Sequence, residues 1–392
     1  MKDLFEEYKP VFSLIKESLF PSGEEIEITD WDAVFREMKA QSVAVLPFNW
    51  LKDHHCDQSE AWERYCSMMT GRWLYLMHAQ DSLLRLLEEN SIPCVIIKGS
   101  SSAVNYPVPS FRTAGDVDFL VKRCDFERAA ALLENSGYKP EEENRESFHH
   151  FGYHKDNVSF ELHRRLGIIR EEDEELIALF EKGIDRRVIK VAEGFSFPSL
   201  PDDLNGLVLV FHIDQHLRSG LGMRQIVDWM MYINSLPSDV WKNDVIPVLR
   251  KTGTEKLALT VTVMCQRYLG LREIVEDTGI YPCEELMECI IENGNFGRKS
   301  GTGGKVAAFS FTSTDAGSFF KRLQKAGLSN WKAAKEHRIL RPFAWIYQSF
   351  RIIGQLIKGK VTPKKFREQR RKGIERRKLI TDLGLDIDRE IK

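Results

Sequence analysis

The chain has 392 residues, 43% of them hydrophobic and 29% charged, a balance that excludes disordered and fibrous classes and suits about two or three globular domains. Its 56 Lys plus Arg against 58 Asp plus Glu leave a net charge of −2, a total that argues against a dedicated nucleic-acid binder. No apolar run reaches the roughly 18 residues of a membrane span, the first seven residues mix acids into Met1-Lys2-Asp3-Leu4-Phe5-Glu6-Glu7 rather than opening a signal peptide, and seven cysteines without a CxxC pair read as free thiols. The expected location is the cytoplasm.

In chain order, residues 1–90 read as a helical segment, with Trp73, Leu76, Met77, Ala79, Gln80, Leu83, Leu84 and Leu87 recurring at helical spacing. A module over 91–200 follows. Its first strand is the buried run Ile92 to Ile97, which enters a tight turn at Lys98-Gly99. Val117 to Val121 gives a second strand, and Asp125 N-caps a helix that Gly137 ends. Residues 148–154 and 158–163 form a hairpin across Lys155-Asp156-Asn157, with Glu161 and His163 on one face of its second arm.

Residues 201–293 read as a helical domain, with amphipathic runs at 203–219, 222–235, 239–251 and 254–269. A Gly-rich loop or lid at 294–315 separates it from a helical C-terminal region, 316–392. Within that region, Lys321 to Lys378 holds nineteen Lys and Arg against three Glu, a local charge near +16 that leaves the remainder near −18. The neutral total is therefore a cancellation. Three partners fit the basic region: an anionic membrane surface, giving peripheral membrane association, RNA phosphates, or the acidic body of the same chain.

The densest chemistry lies between Ile92 and Val121. Asp116 and Asp118 in Gly115-Asp116-Val117-Asp118-Phe119-Leu120-Val121 project to one face of their strand because side chains alternate with period two. Two adjacent carboxylates beside a Gly-Ser turn are what Mg²⁺ and a substrate phosphate require together. Gly99 and Ser100 can hold phosphate oxygens through N–H groups and a hydroxyl. Lys98 either neutralises a triphosphate or caps the strand with its stem buried. Arg112 either grips a phosphate in bidentate fashion or pairs with Asp116 or Asp118.

Gly99, Ser100, Asp116 and Asp118 resemble the signature of the DNA polymerase β-like nucleotidyltransferase superfamily. More narrowly, Lys98-Gly99, Tyr106-Pro107, Arg112 and the 115–121 segment look like its uncharacterised bacterial nucleotidyltransferase family, over roughly residues 70 to 300. The resemblance implies an α+β fold: a polymerase β-like module with a mixed sheet and flanking helices, set between N- and C-terminal helical segments. It implies transfer of NMP from an NTP, most simply ATP, to an unidentified acceptor, with release of pyrophosphate. Asp116, Asp118 and, as third carboxylate, Glu161 would be catalytic and hold two Mg²⁺ ions, or Mn²⁺ in their place. Lys98, Gly99, Ser100 and Arg112 would bind the nucleotide, and His216, with Arg224 and Asp228 on the next helix, matches the family's later pattern. The spacer between Ser100 and Asp116 is slightly long for the superfamily, and Asp is commoner than Glu as the third acid.

Bland alternatives stand beside several of these. Arg224 and Asp228, four residues apart, fit a helix-surface ion pair. His163 fits a structural histidine as well as a site residue. His212 and His216 have the i,i+4 spacing of zinc proteases, but Ile213 replaces the required Glu. Asn295 to Lys305 lacks the spacing and leading strand of a Walker loop. The rival to an enzyme is a catalytically inactive nucleotide-binding or scaffold protein that acts through its basic region, and phosphoryl transfer from the same site is a third reading.

Overall fold

The computed structural model describes residues 2–141, 150–295, 320, 323–324, 326–328, 330–331, 333–334, 337–357 and 363–386. It divides into two compact units, residues 1–300 with 383–392, and residues 301–382. The Gly-rich segment, apart from Gly294 and Asn295, lies outside the described residues, as does the start of the helical pattern at Ala316.

The first unit opens with helices α1 (Lys2–Leu19), α2 (Trp31–Ala40), α3 (Phe48–Asp53) and α4 (Glu60–Glu89). The module follows as β1 (Cys94–Ile96), α5 (Gly99–Ala103), β2 (Asp116–Val121), α6 (Phe126–Asn135), β3 (Lys139–Pro140), β4 (His150–Lys155), β5 (Val158–His163), α7 (Glu174–Asp185), β6 (Val188–Ala192) and β7 (Phe195–Ser199). The remaining helices of the unit are α8 (Asp202–Ser219), α9 (Met223–Ser235), α10 (Ser238–Val240), α11 (Ile246–Lys251), α12 (Glu255–Tyr268) and α13 (Cys283–Asn293). A π-turn at Trp241–Val245 joins α10 to α11.

The seven strands form one mixed sheet, ordered β3-β4-β5-β2-β1-β7-β6, so the fold is the expected α+β architecture of a mixed sheet with flanking helices. β2 runs parallel to β5 and antiparallel to β1. Alternation assigns the two faces. Val117, Phe119 and Val121 of β2 and Val158, Phe160 and Leu162 of β5 join a core with Trp73, Leu76, Met77, Leu83 and Leu87 of α4 and Phe126, Ala129 and Leu133 of α6. Each such large side chain, fully buried, contributes about 1.5–3 kcal/mol. The opposite face carries Asp116, Asp118, Glu161 and His163.

The hairpin turn at Asp156 and Asn157 places both at positive φ, 48° and 60°, the geometry whose twist matches antiparallel strands. Asp125 precedes α6 as expected, but its carboxylate pairs with Arg128 instead of capping the helix. Gly137 takes φ 84° just past the helix end. The sequence reading did not include α7, α13 or the β6–β7 hairpin, and β7 extends the sheet by pairing in parallel with β1.

Buried polar contacts tie the first helices to the later ones. The Gln41 side chain donates to the Ile290 carbonyl at 3.2 Å and accepts from the Met223 N–H at 3.0 Å. Asn295 bonds both Ser42 and Gln225. Gly206 on α8 faces Tyr232 of α9 so closely that a Cβ would lie 2.4 Å from the phenol oxygen, and that hydroxyl donates to the Asp202 carbonyl at 2.6 Å.

In the second unit a 3₁₀ turn at Arg338–Phe343 leads into α14 (Ala344–Ile357), and α15 (Pro363–Asp382) follows. Among the described residues no helix is long and apolar enough to cross a membrane.

Candidate active site

The site begins at the turn between β1 and α5. Lys98 has φ 53° and ψ −137°, and Gly99 has φ 34°. A non-glycine residue held there costs about 1–3 kcal/mol. The turn directs the Lys98 ammonium to Asp118 Oδ1 at 2.8 Å, and the Lys98 carbonyl accepts from the Ser102 N–H at 3.0 Å. A Cβ on Gly99 would lie 3.8 Å from the Asp116 carbonyl oxygen, so the turn runs directly against the acidic strand.

Register does the rest. The β2–β5 pairing sets Asp118 opposite Glu161, with Asp116 opposite Ser159 and Leu120 opposite His163. His163 Nε2 lies 3.0 Å from Asp118 Oδ1 and 3.2 Å from Glu161 Oε2. Ligand atoms of Asp118, Glu161 and His163 all fall within 4.8 Å of one another. Among the described residues no other group of three His, Cys, Asp or Glu side chains has this spacing, and the His212/His216 pair is not part of one. Two carboxylates and an imidazole converging from adjacent strands form a donor set that suits a divalent cation.

The electrostatics follow from burial and crowding. Burial, reinforced by Asp118 and Glu161, pushes Asp116 up to about 6. Asp118 is buried too, but Lys98 and His163 outweigh that cost and hold it well below the usual carboxylate range. Burial opposes the Lys98 charge, yet Asp118 and Glu161 keep its pKa above normal. The same contest, settled by hydrogen bonds to Asp118 and Glu161, raises His163. Because Nε2 of His163 faces two carboxylates, it carries the proton in the neutral ring. Nδ1, buried and without a hydrogen bond, is then an acceptor.

A cleft adjoins this cluster. Its empty space is about 380 Å³ with the open mouth included, and Lys98, His150, His163, His212 and Gln215 line it together with Leu166, Ile168 and Phe211. Burial, reinforced by His163, pushes His150 down to about 4, while burial holds His212 well below its ordinary value and His216 down at about 3.

Several predicted side chains are placed differently from expectation. Arg112 does not pair with Asp116 or Asp118. It is buried and grips Asp228 in bidentate fashion, Nε to Oδ1 at 2.8 Å and Nη2 to Oδ2 at 2.7 Å, and Tyr106 donates to the same carboxylate at 2.7 Å. The surface ion pair expected of Arg224 and Asp228 is replaced by this interior contact, since Asp228 is only 1% exposed. Arg224 instead donates to the Thr113 carbonyl at 3.3 Å. Both guanidinium groups therefore hold the loop that leads into Asp116. The Ser100 hydroxyl donates to Gln80 of α4 at 2.6 Å. His216 is buried with its ring 4.4 Å from that of His212, and of the two it is His212 that lines the cleft.

Over residues 27–270 the chain matches the family described as uncharacterised nucleotidyltransferase. The chain belongs to that family. The match covers more than half of the chain and begins well before residue 70, taking in α2, α3 and most of the helical N-terminal segment, which fits the buried Gln41 contacts that bind those helices to α9 and α13. No curated protein and no solved structure matches the chain. Family membership makes the substrate a nucleotide, and enzymes of this kind usually employ a divalent metal.

Proposed function

We propose that the protein transfers NMP from an NTP, ATP in the simplest case, to an acceptor group, with pyrophosphate leaving. The observation that carries this reading is the β2–β5 register, which puts Glu161 directly beside Asp118 on the strand face that also bears Asp116. Asp116, Asp118 and Glu161 would hold two Mg²⁺ ions, with Mn²⁺ as the substitute; carboxylate oxygens fit such ions by donor type, and His163 would orient Asp118 and Glu161. When bound, the metal supplies charge neutralisation for the phosphates and a more acidic acceptor hydroxyl.

The chain's own residues then have distinct tasks. Lys98 and the first N–H groups of the turn at Gly99 and Ser100 receive the β and γ phosphates, since N–H groups at a helix start lack intrahelical partners. Glu161 accepts the proton of the acceptor as it attacks the α-phosphorus, and the bond to the pyrophosphate oxygen breaks. Arg112 acts at one remove by anchoring the loop before Asp116 to Asp228. Incubation with α-labelled NTPs, Mg²⁺ and a cell extract tests the proposal: one component should gain the label, and the Asp116→Asn/Asp118→Asn double variant should leave it unlabelled. Transfer that survives in that variant would sink the assignment. Label appearing only from the γ position would indicate phosphoryl transfer instead.

One observation favours a second reading. Asp118 Oδ1 is already engaged by both Lys98 and His163, an arrangement that suits a protein that binds nucleotide without turnover. Calorimetric titration with ATP and Mg²⁺ separates the two: tight binding with no pyrophosphate release supports the binding protein.

A further inference from the structure

Residues 301–382 combine exposed apolar side chains with a dense basic helix. The three exposed phenylalanines among the described residues, Phe320, Phe343 and Phe350, all lie here, with Ile339 at 85% exposure and Ile374 at 54%. Ile339 and Phe343 lie in the 3₁₀ turn and Phe350 lies in α14, and all three are exposed. α14 has one charged residue, Arg351, in its 14 positions, and α15 carries nine Lys and Arg against three acids.

We propose that this unit docks on an anionic lipid surface, with the exposed Ile339, Phe343 and Phe350 entering the headgroup boundary and the basic residues of α15 meeting the lipid charge. Exposed apolar side chains and a dense basic helix within one unit are what interfacial binding uses, and neither property alone secures it. At 14 residues α14 is too short to span a bilayer, so the contact is peripheral. RNA would use the same charge but different side chains, because it engages aromatic rings by base stacking. Here the two tryptophans of the unit already have ring partners, Trp331 stacking on Tyr347 at 5.0 Å with planes 5° apart and Trp345 meeting Phe320 at 5.1 Å, and the exposed rings that remain are phenylalanines. Among the described residues the most exposed large apolar side chain is an isoleucine, Ile339, which offers a base nothing and an acyl chain a great deal.

The test is co-sedimentation of the full chain with vesicles of phosphatidylcholine alone or mixed with phosphatidylglycerol. Binding should be about tenfold or more tighter to the anionic vesicles and should weaken as salt rises. Phe343→Glu with Phe350→Glu should weaken it by about tenfold or more while far-UV circular dichroism stays unchanged. Equal binding to both vesicle types, insensitivity to salt, or undiminished binding by the folded phenylalanine variant would overturn the proposal. So would binding to single-stranded RNA without binding to anionic vesicles. The salt and lipid comparisons use the unaltered chain and decide the matter even if the variant fails to fold.

Discussion

Two buried charge clusters lie near each other in the first unit and are built from similar parts to opposite ends. Around Asp228, one carboxylate meets Arg112 in a bidentate pair, accepts a hydroxyl from Tyr106 and lies close to a second guanidinium, Arg224. Cations outnumber anions there, and the geometry is closed. Around Asp118, three carboxylates face one ammonium and one imidazole, and burial, reinforced by Asp118 and Glu161, pushes Asp116 up to about 6. Anions are in excess and the cluster opens on a cleft. The first arrangement holds a loop in place; the second has charge left over for a ligand.

Substitutions can break this contrast, and the largest effect is expected at the acids. Asp118→Asn should lower nucleotidyl transfer by about 10³-fold or more, with the fold retained by circular dichroism. At the lock the loss should appear in stability: Asp228→Ala strands Arg112 in the interior and should cost about 3–5 kcal/mol by denaturant titration. The double change Arg112→Met with Asp228→Leu should recover most of that stability, because a buried ion pair can be exchanged for apolar packing. No apolar replacement should recover transfer at Asp118. His163→Gln should reduce metal affinity or activity by about 10–100-fold with little change in stability, the mark of a group that orients ligands. The smallest effect belongs to Gly99→Ala, which forces a side chain into φ 34° and should cost about 1–2 kcal/mol.

The contrast also explains what could be read in advance. The shared sheet face of Asp116, Asp118 and Glu161 was legible because strand alternation is local and an acid at every second position declares a face. The strand pairing that makes Glu161 a neighbour of Asp118 is nonlocal, and the sequence supports it only by order and spacing. Arg112 was misplaced for a related reason: its partner lies 116 positions away, and the i,i+4 relation of Arg224 to Asp228 offered a nearer but wrong match. A signal existed, since an acid set in the apolar run Met223 to Ile233 points inward and must find a cation there. Gln80 was similar, a polar residue in the inward stripe of α4, and it holds Ser100. The β6–β7 hairpin also announced itself, with Glu193-Gly194 between alternating strands and both residues at positive φ, 47° and 89°.

Lys98 carries one more implication. Its backbone occupies a conformation that glycine enters at little cost, while its side chain reaches Asp118. If the turn alone mattered, glycine would serve position 98 better than lysine. A relative with glycine there would keep the turn and give up the ammonium beside the acids, so the identity of this single residue offers a way to sort sequences that retain the chemistry from those that retain only the shape.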